Sequence, residues 1–255
     1  MPSLPAAPLV ALHGWPPESL GDIGLCRLVS ALRHRGVEVV SIHGPHDTLP
    51  TTLAAWVDDF ETKLSHLEAE LLRPPALLGY CMSAIVALEL ATRRPEVPYV
   101  GLVDMWLPHR RLARGDYRRY EIPWRMLPKD LLEQRRKTPS HTWRAVAAEN
   151  FREYKYYRHG RRHDPELGAW RTTPAGHAIF SSALRAEPRA CRVHVHLYPT
   201  EVSVKTRSPD DLSLGWSSYL QGGYRTTLIA GNHLSCFDGE NLEQLCSAIV
   251  RDLER

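Results

Sequence analysis

Three short segments of this 255-residue chain carry side chains suited to acyl transfer. The first is Gly79-Tyr80-Cys81-Met82-Ser83-Ala84, which lies between an apolar run at 76–80 and a helical pattern at 82–94. A chain that turns sharply from strand into helix needs small residues two before and two or three after the turn. Gly79, Ser83 and Ala84 meet that need, and Cys81 stands at the turn itself. A thiol there sits beside a helix N-terminus, whose dipole favours a thiolate and whose N–H groups can hold an oxyanion. The usual form of such an elbow is G-x-S-x-G. Here Cys81 replaces the serine and Ser83 the last glycine, and the hexapeptide alone fits a buried cysteine in a close-packed turn almost as well.

The second segment is Ile229-Ala230-Gly231-Asn232-His233-Leu234, after the last strand-like run and before the last helical one. Gly-Asn supplies a turn that can present His233 as a base. With 13 histidines in the chain, a turn or surface histidine is the competing reading. The third segment, Leu102-Val103-Asp104-Met105-Trp106-Leu107-Pro108, puts Asp104 at the end of the strand after the elbow helix, where it can orient an imidazole. Helix or strand capping is its alternative role, and Glu201, after the next strand-like run, is its competitor. At His13-Gly14-Trp15 a flexible glycine can bring an N–H of Gly14 or Trp15 beside that of Met82 as oxyanion donors. Trp106 and Tyr80, next to the acid and the nucleophile, are the expected substrate contacts. No metal set is expected: His194 and His196 share a strand face, but no third ligand accompanies them.

These residues need a scaffold, and the hydropathy pattern describes one. Strand-like runs at 9–13, 37–42, 76–80 and 99–103 alternate with helical patterns at 18–35, 51–72 and 82–94. Such alternation predicts a mainly parallel sheet with helices on both faces. From Trp106 to about Arg192 no strand is evident, only basic and aromatic stretches broken by prolines. Strand character returns at 193–198 and 225–229, and 242–253 reads as a final amphipathic helix. The expected organisation is a core formed by 1–105 and 193–255, with a helical insertion at 106–192.

The order nucleophile, acid, base, each at a strand end, resembles the thioesterases that release chains from polyketide and nonribosomal peptide synthases. The resemblance also takes in His13-Gly14, Leu214-Gly215-Trp216 and Gly231-Asn232-His233. It implies an α/β-hydrolase fold, a lid formed by the insertion, and Asp104 rather than Glu201 as the acid. It further implies an acyl or aminoacyl group delivered as a phosphopantetheine thioester on an acyl or peptidyl carrier protein, with no cofactor of the enzyme's own. A cysteine in place of the family's usual serine raises transfer to an amine or thiol, or cyclisation, as alternatives to hydrolysis. A catalytically inactive binding protein on the same fold is the reading from another class.

Composition sets outer bounds. The chain is 43% hydrophobic and 24% charged, which suits one large globular domain. Five cysteines without C-x-x-C spacing read as free thiols of a reducing compartment, and no secretory signal or membrane-spanning run is apparent, so a cytoplasmic setting is expected. The start at Met1 and the lack of flanking domains suggest a free-standing protein. The net charge of +3 is unevenly spread, with a local excess of about +10 between His109 and His163. Nucleic acid is not an expected partner, since no recognition module accompanies the basic stretch.

Overall fold

In a computed structural model, residues 7–14, 20–45, 52–71, 73–105, 189–207 and 211–254 are described. Their element order is β1 (Leu9–His13), α1 (Leu20–His34), β2 (Val39–His43), α2 (Leu53–Glu68), β3 (Ala76–Tyr80), α3 (Met82–Arg93), β4 (Val100–Val103), β5 (Val195–Tyr198), α4 (Glu201–Arg207), β6 (Tyr224–Thr226) and α5 (Gly239–Leu253). The six strands form one sheet in the order β2-β1-β3-β4-β5-β6, and every pairing is parallel.

The central strands are apolar apart from His13 and His196 because helices cover both sides. Every residue of β1, β3, β4 and β5 is buried. On one side α1 packs against α5, and on the other α2 packs against α3. The amphipathic stripe of α2 buries Leu53, Trp56, Val57, Phe60 and Leu64, and Thr52 caps its first turn by accepting a hydrogen bond from Ala55 N at 3.2 Å. At the end of α1, Gly36 takes a φ of 82°, the left-handed conformation that ends helices.

The last strand, β6, ends earlier than the strand-like run 225–229 suggests. Thr227 N still donates to Leu197 O and Ile229 N to Pro199 O, each at 2.9 Å. The reciprocal bond is missing because Pro199 has no N–H, so the ladder stops at Thr226 and resumes only as a single Thr200–Ile229 bridge. The helix α4 that follows was not expected from the sequence. Its signal is Thr200, whose hydroxyl accepts from Ser203 N at 3.3 Å. Of the insertion at 106–192, residues 106–188 lie outside the described residues. No described helix is long and apolar enough to cross a membrane.

Candidate active site

The elbow is built as its small residues require. Cys81 has φ 54° and ψ −123° and directly precedes α3, a strained backbone of the kind found where geometry is held for function. A side chain at Gly79 would have its Cβ 2.4 Å from Ser83 O and 2.6 Å from Ala84 Cα, so only glycine fits. Ser83 is fully buried, donates to Tyr80 O at 2.9 Å and accepts from Tyr80 N at 3.0 Å. It staples the turn from inside. Met82 opens α3, so its N–H belongs to the first turn, which has no intrahelical acceptors. Gly14 is packed against this turn: a Cβ there would come within 2.9 Å of the Trp56 ring and 3.0 Å of Ser83 Cβ. Trp15 and Trp106 lie outside the described residues.

Asp104 directly follows β4, is fully buried and has φ 44°. Its Oδ1 accepts from Thr200 N at 2.8 Å, and its Oδ2 accepts from Ser203 Oγ at 2.8 Å and from His233 Nδ1 at 2.7 Å. Burial works against the carboxylate, but these hydrogen bonds and the charge of His233 hold its pKa below the ordinary value. The segment after it is tied down by Trp216, whose buried indole donates to Met105 O at 2.8 Å. Glu201 instead begins α4, and its backbone N–H donates to Ile229 O.

His233 is presented by a closed loop. Asn232 Oδ1 accepts from the N–H groups of Leu234 and Ser235 at 3.0 and 2.9 Å, while Asn232 N donates to Ser235 Oγ at 2.9 Å. Gly231 has φ 88°, and a Cβ on it would lie 2.6 Å from Ser235 Oγ. With Nδ1 on Asp104, the other ring nitrogen is left for the Cys81 side chain, with which the imidazole is also hydrogen-bonded. Burial opposes a charge on the ring. The negative charge of Cys81, followed by the bonds to Asp104 and Cys81, outweighs burial and raises the pKa to about 9. The arrangement sets an imidazole, oriented by a buried carboxylate, beside the Cys81 side chain.

Tyr80 is 1% exposed and lies against His233. Its hydroxyl donates to His233 O at 2.6 Å, and its ring lies 4.7 Å from the imidazole at a tilt of 31°. Cys236 Sγ donates to the same carbonyl at 3.4 Å, and its thiol is pushed far up by burial and then by the charge of Asp104. Thr200, Ser203 and Cys236 were not singled out in the sequence; only the Thr-x-x-Ser spacing at 200–203 could have pointed to them. Aromatic contact with an imidazolium contributes about 0.5–1 kcal/mol. Tyr80→Leu is thus expected to lower the pKa of His233 by about half a unit. Tyr80→Phe should keep that pKa and lose about 1 kcal/mol of stability with the hydrogen bond. Titration of the His233 ring by NMR, with thermal unfolding alongside, measures both; equal pKa values in the two variants would remove the ring contact from the account.

No family model matches the chain, and no curated protein matches its sequence. Solved structures do match it in shape. The NocB thioesterase domain from the nocardicin cluster covers 100% of this chain and 96% of its own length, with a TM-score of 0.59 and 18% identity. The thioesterase domain from the curacin biosynthetic pathway covers 97% and 92%, with a TM-score of 0.56 and 17% identity. A hypothetical protein, PA1622 from Pseudomonas aeruginosa PAO1, covers 100% and 92%, at 0.56 and 19%. At these identities the likeness is one of fold: the chain has the α/β-hydrolase architecture that thioesterase domains share.

Proposed function

We propose that the chain is a thioesterase-like acyl-transfer enzyme with Cys81 as nucleophile, His233 as base and Asp104 as the acid that orients the base. The observation that carries this reading is the continuous hydrogen-bonded series Asp104–His233–Cys81 on a strained elbow, with His233 raised to about 9. The Cys81 thiolate attacks the thioester carbonyl, and the N–H of Met82, with one near Gly14 or Trp15, holds the oxyanion. The C–S bond to the carrier breaks, and the leaving thiolate takes the proton from His233. The acyl group now sits on Cys81, so the negative charge that contributed most to raising His233 is gone. The neutral imidazole removes a proton from the acceptor, which attacks the acyl carbonyl and restores the Cys81 thiolate.

Cysteine decides which acceptors compete. A serine acyl-enzyme is an oxygen ester, lower in energy than the incoming thioester. An acyl-Cys81 is itself a thioester, nearly isoenergetic with the substrate, so loading is close to reversible and the intermediate stays open to amines and thiols. Transfer to a second carrier or an amine is therefore the second reading beside hydrolysis.

The substrate proposed is an acyl or aminoacyl group on the phosphopantetheine of an acyl or peptidyl carrier protein. The support is the fold shared with synthase thioesterase domains and the basic stretch at 109–163, which suits an acidic, phosphate-bearing partner. One experiment tests substrate and acceptor together. The same acyl group is offered on a carrier and on a small uncharged thiol, with water, amine and thiol acceptors, at low and high salt. Product should form with amine or thiol as well as water. Only the carrier-bound substrate should lose rate with salt, as the Debye length falls below about 10 Å, and with Arg110, Arg111, Arg118 and Arg119 changed to Ser. Equal losses for both substrates, or none, would remove the carrier from the proposal.

A further inference from the structure

A second cluster of reactive side chains lies outside the Cys81 centre, between the end of β1 and the first two turns of α1. We propose that His13, Asp22 and Cys26 form a zinc-binding site whose fourth position is open to water. The ligand atoms of these three residues all lie within 4.8 Å of one another. Asp22 and Cys26 are four residues apart on α1, hence on one helix face, and His13 ends the neighbouring strand. His13 Nδ1 lies 2.7 Å from Asp22 Oδ1, and Cys26 Sγ lies 3.8 Å from Asp22 Oδ2.

The chemistry of the set selects the ion. One thiolate and one carboxylate balance the two charges of Zn²⁺, and imidazole and thiolate disfavour Mg²⁺ and Ca²⁺. His13 Nε2 lies 3.1 Å from Ser41 Oγ, the outer hydrogen bond that fixes the tautomer of a metal-bound histidine. The His13 ring is held further by stacking on His43, with centroids 4.3 Å apart. His13 and Asp22 are 1% and 6% exposed while Cys26 is exposed, so the site has a buried floor and is reached from the side of its exposed ligand.

Metal entry replaces a proton between His13 and Asp22. The ring proton moves from Nδ1 to Nε2, where it is donated to Ser41, so the imidazole stays neutral. The Cys26 thiol releases its proton to solvent. Ligand bonds of about 2.0–2.3 Å require the His13–Asp22 separation to open by roughly half an ångström and Cys26 to turn inward. One proton leaves per ion as the Cys26 thiol becomes a thiolate ligand. The site directly precedes Gly14, so an ion there would stiffen the chain that packs on Ser83 of the elbow.

The test uses the full chain carrying Cys81→Ala, so that the Cys81–His233 pair cannot compete for metal. After chelator treatment, Co²⁺ should give a thiolate-to-metal charge-transfer band that one equivalent of Zn²⁺ abolishes. Cys26→Ser, at an exposed position, should leave the fold intact and remove the band. Ser41→Ala should weaken Zn²⁺ binding by about 10–100-fold while keeping the band. A band that survives Cys26→Ser, or no band and no Zn²⁺ binding by calorimetry, would overturn the site and leave His13–Asp22 a structural pair.

Discussion

Cys81→Ala should abolish acyl-enzyme formation and reduce turnover by roughly 10⁵–10⁶-fold, the scale seen when a catalytic nucleophile is removed. Incubation with an acyl-pantetheine or acyl-carrier substrate, followed by mass spectrometry, should place the adduct on Cys81. Ser83 is the nearest alternative hydroxyl, but it is fully buried and bonded in both directions to the Tyr80 backbone. An adduct on Ser83, or activity that survives Cys81→Ala, would sink the assignment. The same substitution has a second readout. The Cys81 charge contributes most to raising His233, opposing a larger downward effect of burial. Removing it should bring the pKa of His233 down from about 9, by a margin an NMR titration resolves. Cys81→Ser should retain some acylation and turn over more slowly, because the oxygen ester is the more stable intermediate.

The scaffold was legible in the sequence wherever periodicity and composition act together. The strands β1 to β4 are short apolar runs, and the helices between them carry clear stripes and end signals such as Gly36. The elbow was readable for a steric reason: Gly79 must be glycine, and Ser83 must be small enough to fold back onto Tyr80. What escaped was set by tertiary contact. Thr200 caps, and Ser203 belongs to, a seven-residue helix too short for a periodic pattern, and both matter because Asp104 lies against them 96 and 99 residues away in sequence. The contact between the Tyr80 ring and the His233 imidazole escaped as well, because alternation along β3 says nothing of a ring that arrives from residue 233. The pairing of His13 with Asp22 and Cys26 was equally hidden. A histidine ending a strand meets helical residues 9 and 13 positions later only once α1 is folded back on β1.

Asp104→Asn is the second large loss expected, and its reasons are local. Asp104 Oδ2 accepts from both His233 Nδ1 and Ser203 Oγ. An amide oxygen placed there puts the NH₂ group opposite Thr200 N, which is itself a donor. An amide turned the other way donates to His233 Nδ1 and stabilises the tautomer whose proton already sits on the remaining nitrogen. That tautomer cannot accept a proton from Cys81 or from the acceptor. In a serine protease this substitution costs roughly 10⁴-fold in turnover. A cysteine–histidine pair ionises more readily than a serine–histidine pair, so the loss here should be smaller, about 10²–10⁴-fold. A buried donor left unsatisfied should also lower stability by about 1–3 kcal/mol, so thermal unfolding must accompany the kinetics and assays must be run well below the transition. The decisive comparison is with Glu201→Gln. Glu201 stands at the first position of α4, and the His233 Nδ1 bond goes to Asp104. Its replacement should leave the kcat/KM and the pKa of His233 unchanged, whereas Asp104→Asn should depress both. A crippled Glu201→Gln beside an active Asp104→Asn would reverse the assignment of the acid.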